Sequence, residues 1–479
     1  MSIDSLYEIY KQHNEVSTDS RRITDGCLFF ALKGETFDGN KFAAKALQDG
    51  AAVAVVDDAS VVPSGDELTE AQPQGHYILV PDVLATLQAL AAYHRQQFRG
   101  PVVEVTGTNG KTTTKELLAA VLSRKYNVLY TQGNLNNHIG VPLTLLRLRP
   151  EKHEIAIIET GANHPGEIAF LANIVNPDYG LITNVGRAHI EGFGSFEGVK
   201  RTKGELYDKL NANANARIFA CASNVDLRSM LAEREIDINS SKCITYSHEH
   251  EGVDSTLCTG RVETCNPMLS VSWQTCSRQS CRCSALPAES FTTATQLIGD
   301  YNLDNVLAAI CVGLHFGVAP AEIDAALTDY HPSLGRSEYR RTAHNELVVD
   351  AYNANLTSML AALANLRNLE HPHKMVILGA MRELGADSYD SHLQVVQEVL
   401  NDGVEEAWFV GEEFEDAVAQ AVGHTDVQGC TYGREGVYVR MYKDIQAVTE
   451  AIAAKCPEGR LILIKGSNST RLHQLPDLL

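Results

Sequence analysis

Residues 101–112 read PVVEVTGTNGKT: an apolar run, a Gly-rich turn, then Lys-Thr ahead of the helix-like stretch KELLAAVLSRKY. A strand running through such a turn into a helix N-terminus cradles an anion, because backbone N–H groups and the positive end of the helix dipole converge on it. Lys111 adds a mobile cation suited to β- and γ-phosphates, and the Thr112 hydroxyl an oxygen suited to Mg²⁺. The usual P-loop has glycine five residues before Gly110, where this chain has Val105. In another setting the same letters are a plain Gly turn. Between an apolar strand and a helix they point to ATP or a relative, and leave open what the phosphate energy is used for.

Other residues could join that chemistry. Glu159 ends the apolar run EIAIIE, where a carboxylate can serve a nucleotide-bound Mg²⁺ or simply face solvent. His189 sits in the Gly-rich NVGRAHIEGFG, as a ligand or a surface residue. Lys203, in RTKGEL near Glu205, is by composition an ordinary solvated lysine. Asn134, Asn136 and Asn137 cluster ahead of an apolar helix, which suits sugar or peptide groups and equally suits capping. Asn302 and Asn305 share a helix face and could read an adenine edge or serve as caps. Arg336 in LGRSEYR and Asp350 in VVDAYNAN could reach the nucleotide across a cleft, or form ordinary surface pairs.

The elements that would position these residues are legible as apolar runs. CLFFAL and AAVAVV are strand-like in the first 80 residues, DGNKFAAKALQDGA is helical, and 61–76 is a Pro- and Gly-punctuated loop. From the P-loop strand onward, EIAIIE, YGLITNV and RIFACAS alternate with helical segments, as in a parallel sheet wrapped by helices. Residues 240–298 hold short β-prone pieces such as LSVSW and FTTATQLI, which suggest an antiparallel appendage. GDYNLDNVLAAICVGLHFG reads as one helix with Asp300 at its N-cap and Gly317 closing it. Past Pro332, ELVVDAY, KMVILGA, EAWFVGE and RLILIKG alternate with helices in a second open α/β sheet. No repeat of solenoid length is evident.

Composition excludes several classes. At 479 residues the chain exceeds one ordinary domain. With 44% hydrophobic and 21% charged residues it has the composition of a soluble globular protein. A formal net charge of −20 argues against nucleic acid as partner. MSIDSLYEIYKQH has no apolar core, so neither signal peptide nor membrane span is expected. Eleven cysteines suggest reduced thiols rather than a disulfide framework. The densest group, Cys276, Cys281 and Cys283, lacks a second ligand pair at finger-like spacing.

In order along the chain, TDSRRITDGCLFFALKGETFDGNKFA, GTNGKTTTK, GNLNNHIGVPLTLL, ETGANHPGEI, AHIEGFGS, GDYNLDNVLAA, DAYNAN, LGAMRELG and LIKGS occur over its full length. This set resembles the ATP-dependent Mur ligases of bacterial cell-wall synthesis. The DNPR-type signature of the branch that adds diaminopimelate is absent, and DAYNAN and GAMRELG resemble the branch that adds D-alanyl-D-alanine. Two departures stand out: Thr160 after Glu159, where the family more often has Met, and Leu356 after NAN, where it more often has Pro.

The resemblance implies an α/β protein of three domains. These are a small mixed UDP-sugar-binding domain at 1–97, a central P-loop ATPase-type parallel sheet at 98–331, and a Rossmann-like domain at 332–479 that closes over ATP and takes the incoming dipeptide. It implies that Gly107, Thr108, Asn109, Gly110, Lys111, Thr112 and Thr113 hold the ATP phosphates, with Lys111 stabilising the transferring phosphoryl group. Thr112 and Glu159 would hold one Mg²⁺, and His189 with a carbamylated Lys203 a second. Asn302 and Asn305 would contact adenine, and Arg336 and Asp350 would complete the site. Ser20, Arg21, Asp38, Gly39 and Asn40 would lie near the uridine, with Asn134, Asn136, Asn137, Tyr352 and Asn353 also on substrate. The implied reaction joins D-Ala-D-Ala to UDP-MurNAc-tripeptide (third residue lysine or diaminopimelate) through an acyl phosphate, in a monomeric, cytoplasmic bacterial enzyme. Two other readings stand beside it: a folylpolyglutamate synthase-like ligase, which should lack the DSR and DGN segments, and a non-catalytic nucleotide switch.

Overall fold

The computed structural model describes residues 1–69, 75–188, 190–249, 253, 256–276, 289–332, 336–422, 430–432 and 436–479. His189, Cys281 and Cys283 therefore lie outside the described residues.

Three sheets carry the chain. The first is four-stranded and parallel, in the order Val16–Ser17, Leu28–Phe30, Val53–Val56 and Tyr77–Leu79. The second has nine strands, with Val102–Thr106 between Ile155–Glu159 and Tyr179–Ile182, all parallel. The chain runs from that strand to the edge strand Val128–Tyr130 on one side, and later from Ile155–Glu159 past it to Tyr179–Ile182 on the other, so its C-terminal end opens at a topological switch point, the usual ligand crevice of such sheets. The third has seven strands, with a parallel middle of Glu346–Asp350, Leu461–Lys465, Lys374–Gly379, Glu406–Val410 and Tyr438–Tyr442. Antiparallel Glu338–Arg341 and Cys430–Tyr432 close its edges.

Strands buried on both faces read as unbroken apolar runs, and Val102, Val103, Val105 and Ile155–Ile158 are all inaccessible or nearly so. The helix Lys111–Leu122 buries Leu117, Leu118, Val121 and Leu122 against the same core. Deleting one of these side chains costs about 2–5 kcal/mol, so the P-loop rests on a stiff base.

The N-terminal unit has a core of its own, with Phe29, Ala43, Val56 and Tyr77 among its residues, and shares a second with the central unit. Leu6, Tyr10, Leu87 and Leu90 share one apolar cluster with Val141, Leu145, Ile158 and Leu171 of the central unit. Arg95, nearly buried, pins the helix Val83–Gln97 to the central sheet, donating to Val175 O, Asn176 O and Asp178 Oδ2 at 2.9–3.0 Å.

Two sequence expectations change. The β-prone region forms no appendage: Cys243–His248 pairs parallel with both neighbours, and Thr256–Cys265, Met268–Thr275 and Ser290–Ile298 extend the central sheet, the last two pairings antiparallel. Alternating side chains revealed the strands, but not the partner they would pair with. The expected single helix starts later, with a 3-10 turn Asp300–Asn302 ahead of Leu303–His315, so Asn302 rather than Asp300 holds the N-cap position. Among the described residues no helix is long and apolar enough to cross a membrane.

Candidate active site

The strand Val102–Thr106 delivers the chain into a loop that only glycine fits at two points. Gly107 has φ +141°, and a Cβ there would lie 2.1 Å from Thr183 Oγ1; Gly110 has φ +76°, and a Cβ would meet Asn305 Oδ1 at 2.6 Å. No side chain caps the helix at Gly110, so its first-turn N–H groups are left for a ligand. Lys111 Nζ folds back on its own loop, donating to Gly107 O at 2.9 Å and Thr108 O at 2.8 Å. Burial lowers its pKa, Glu159 opposes the shift, and Arg336 adds to it.

Glu159, 1% exposed, is fixed from two sides: Thr112 Oγ1 donates to Oε2 at 2.9 Å and Asn136 Nδ2 to Oε1 at 2.7 Å. Thr131 Oγ1 accepts from its backbone N–H at 3.0 Å. A hydroxyl and a carboxylate converging beside a phosphate cradle form an oxygen donor set suited to a hard cation such as Mg²⁺. Asn305 accepts from Thr114 at 3.0 Å and donates to Asn302 at 2.8 Å, and Asn302 donates to Ile298 O at 2.8 Å. Both Asn side chains are buried, and they brace the P-loop helix as well as lining the cleft.

The far wall comes from the third sheet. Arg336 stacks on the Tyr352 ring at 3.6 Å, and its Nε is buried with no hydrogen-bond partner among the described residues. Asp350, at its strand end, pairs with Lys465 at the end of the adjacent strand. Asn355 caps the helix Leu356–Asn368 and donates Nδ2 to Asn109 Oδ1 of the P-loop at 2.8 Å. Together the two walls enclose a cleft of about 410 Å³ holding Thr108 to Thr113, Glu159, Asn134, Asn136, Arg336, Asp350, Tyr352 and Asn353.

A second cavity of about 370 Å³ shares Thr108, Lys111, Asn136 and Asn353 with it and adds Asn137 and Lys203. Lys203 is not the solvated lysine that composition suggests. It is 2% exposed, with its Nζ 3.5 Å from Ala162 O. Burial, reinforced by Lys111, holds its amine well below the usual lysine range. Glu205 instead caps the helix Glu167–Val175, accepting from Gly166 N and Ala169 N at 2.8 Å each.

The residues expected near uridine line neither cavity. Arg21 forms an exposed ion pair with Asp19 at 2.9 Å. Asn40 is 1% exposed and spends its amide on Asp38 and Asp57, and Gly39 is buried beneath Leu32.

Thr131, Asn184, Asn355 and Lys465 escaped sequence reasoning. Asn184 orders the loop by accepting from Asn109 N at 3.0 Å and donating to Asn109 O at 3.1 Å. Lys465 had a signal, since it ends an apolar strand just as Glu159 and Asp350 do; Thr131 had none.

A phosphate cradle on one α/β sheet facing cationic and acidic strand ends of another is the site of a two-sheet nucleotide-dependent enzyme. Three family models match in order: "Mur ligase family, catalytic domain" over residues 13–95, "Mur ligase middle domain" over 105–313, and "Mur ligase, glutamate ligase domain" over 335–468. The chain belongs to the Mur ligase family. It is 35% identical over 461 residues to the UDP-N-acetylmuramoyl-tripeptide–D-alanyl-D-alanine ligase of Escherichia coli (strain K12), covering 96% of this chain and 92% of that one. A crystal structure of MurF from Acinetobacter baumannii aligns with TM-score 0.77 at 28% identity, over 97% and 93% of the two chains. MurF ligase from Thermotoga maritima in complex with ADP aligns with TM-score 0.76 at 25% identity, over 97% of each.

Proposed function

We propose that this chain is an ATP-dependent ligase joining D-alanyl-D-alanine to UDP-MurNAc-tripeptide, giving the UDP-MurNAc-pentapeptide precursor of peptidoglycan, ADP and phosphate. The observation that carries this reading is a pair of neighbouring cavities that share Thr108, Lys111, Asn136 and Asn353: one is lined by the phosphate cradle, the other by buried Lys203. The full-length likeness to the Escherichia coli ligase supports the substrate assignment, and the Thermotoga maritima complex supports ATP as the nucleotide.

The chemistry requires two anions to meet. The tripeptide carboxylate attacks the γ-phosphorus of ATP; an O–P bond forms, the bond to the β-phosphate bridging oxygen breaks, and ADP leaves. The amine of D-Ala-D-Ala then attacks the acyl carbon; a C–N bond forms, phosphate leaves and the amine gives up a proton. Lys111, released from Gly107 O and Thr108 O, neutralises charge on the transferring group. Arg336, held in line by Tyr352, adds a second fixed cation from the opposite wall. Asp350 and Lys465 hold that wall, and Asn353 stands where the two cavities join. Asn302 and Asn305, which line the same cleft, would lie under the adenine.

Thr112 and Glu159 would hold Mg²⁺, which when bound screens phosphate charge. Lys203 suits carbamylation: burial favours its uncharged amine form, which adds to CO₂ with loss of one proton to give a carboxylate-like anion that, with His189, would hold a second Mg²⁺. Residues 1–97 would take the UDP-sugar, with Ser20, Arg21 and Asp38 towards uridine and Gly39 and Asn40 shaping that loop. Asn134, Asn136 and Asn137 would face the peptide.

Phosphate release from ATP tests the reading. It should require UDP-MurNAc-tripeptide and D-Ala-D-Ala together; release with neither would favour a nucleotide switch, and release with a pterin polyglutamate acceptor a folylpolyglutamate-type ligase.

A further inference from the structure

Away from the phosphate cradle, three side chains of different chemistry converge on one point. Cys221 ends the strand Arg217–Cys221, and His248 ends the adjacent parallel strand Cys243–His248, two residues past the Tyr246 that registers with Cys221. Asp304 lies in the first turn of the helix Leu303–His315, which crosses above those strand ends. Cys221 Sγ is 3.6 Å from Asp304 Oδ1, and His248 Nε2 is 2.8 Å from the same oxygen. The thiol, imidazole and carboxylate ligand atoms all lie within 4.8 Å of one another.

Two ordinary explanations leave part of this arrangement unexplained. A His–Asp ion pair at a helix N-terminus accounts for two of the residues but not for a thiol directed at the same oxygen. In a nucleophilic triad the imidazole stands between thiol and carboxylate; here the carboxylate oxygen stands between the other two. The set does match a three-ligand metal site with a fourth position open. Sulfur and imidazole select a borderline-soft, tetrahedral cation of the zinc class and disfavour Mg²⁺. Cys221 is 1% exposed, whereas the His248 and Asp304 side chains are 40% and 30% exposed, which leaves an entry path.

We propose that Cys221, His248 and Asp304 form a binding site for a zinc-class divalent cation at the rim of the nucleotide cleft. Asp304 belongs both to this set and to the cleft lining, one residue from Asn305, which braces the P-loop helix. Metal and nucleotide therefore bias each other's affinity, reciprocally as linkage requires. The metal site stands without the ligase reading; only its coupling to nucleotide rests on it, so the two fail separately.

Cobalt(II) titrated into the reduced full chain, without nucleotide, tests the site. One equivalent should bind with a thiolate-to-cobalt charge-transfer band and tetrahedral visible absorption, and zinc(II) should displace it. Cys221→Ser should abolish the charge-transfer band, and His248→Gln, altering a half-exposed side chain, should weaken binding at least about tenfold. Thermal unfolding of each variant verifies folding, and His248→Gln carries the test if Cys221→Ser does not fold. No charge-transfer band in the wild type, or a band unchanged in both variants, would overturn the site. ADP affinity with and without zinc(II) should differ by about fivefold or more in the wild type and not in His248→Gln; an unchanged wild-type affinity would overturn the coupling.

Discussion

Asn355 of the third sheet's unit reaches across to the P-loop and donates its amide to Asn109 Oδ1 at 2.8 Å, while its own Oδ1 caps a helix by accepting from Ser358 N at 2.9 Å. One side chain thus ties the orientation of the far wall to the shape of the phosphate cradle. Asn355→Ser keeps a good cap but is too short to reach Asn109. Its stability should stay close to wild type while kcat/KM for ATP falls about 2- to 10-fold, the worth of one hydrogen bond. Asn355→Ala should lose about 1 kcal/mol of stability as well. Denaturant unfolding and steady-state kinetics on both variants separate the two roles.

Lys111 bonds only to loop carbonyls in the described structure, so the fold does not depend on it. Lys111→Ala should lower kcat by about 10²–10³-fold or more with little change in unfolding temperature. Near-normal turnover would remove the lysine from phosphoryl transfer.

Lys203 is a buried amine whose nearest hydrogen-bonding contact is a 3.5 Å approach to Ala162 O. Lys203→Ala should cripple ligation, and short carboxylic acids should partly restore it by supplying the missing carboxylate. Removing CO₂ and bicarbonate should reversibly lower wild-type activity. Normal turnover in the variant would contradict the carbamate.

Much of this was legible in the chain. Unbroken apolar runs such as IAIIE and LILIK announce strands buried on both faces, and GTNGKT announces the cradle, because both signals are local. Asn302 and Asn305 were legible as neighbours on one face, but not as a chain of hydrogen bonds reaching Thr114, because residue 114 lies far away in sequence. The burial of Lys203 was illegible for the same reason, since it comes from the fold around it and not from its charged neighbours; only the family resemblance singled that lysine out. Both family departures acquire a local reason. Leu356 occupies the first position of its helix, where Pro is favoured but not required. Thr160 donates to the buried Glu104 at 2.8 Å, a contact that Met could not make.

Glu104 supplies a pH test. It is fully buried in the P-loop strand, its Oε2 has no partner among the described residues, and burial pushes its carboxyl up to about 8 from an ordinary 4.5. Between those values the folded chain retains a proton that the unfolded chain has released, so this residue's contribution to stability falls as pH rises from 4.5 to 8. At neutral pH the penalty is about 3 kcal/mol. Glu104→Gln should therefore stabilise the protein clearly at pH about 8 and hardly at pH about 5. Urea midpoints of both proteins at the two pH values check this, and an equal gain at both would contradict it.

The fate of one oxygen atom tests the central claim most directly. UDP-MurNAc-tripeptide carrying ¹⁸O in its terminal carboxylate, turned over with ATP and D-Ala-D-Ala, should deliver one ¹⁸O atom into each phosphate released, because the acyl phosphate breaks at its acyl carbon. Phosphate free of ¹⁸O, formed while the pentapeptide accumulates, would contradict transfer of the γ-phosphoryl group to the peptide carboxylate.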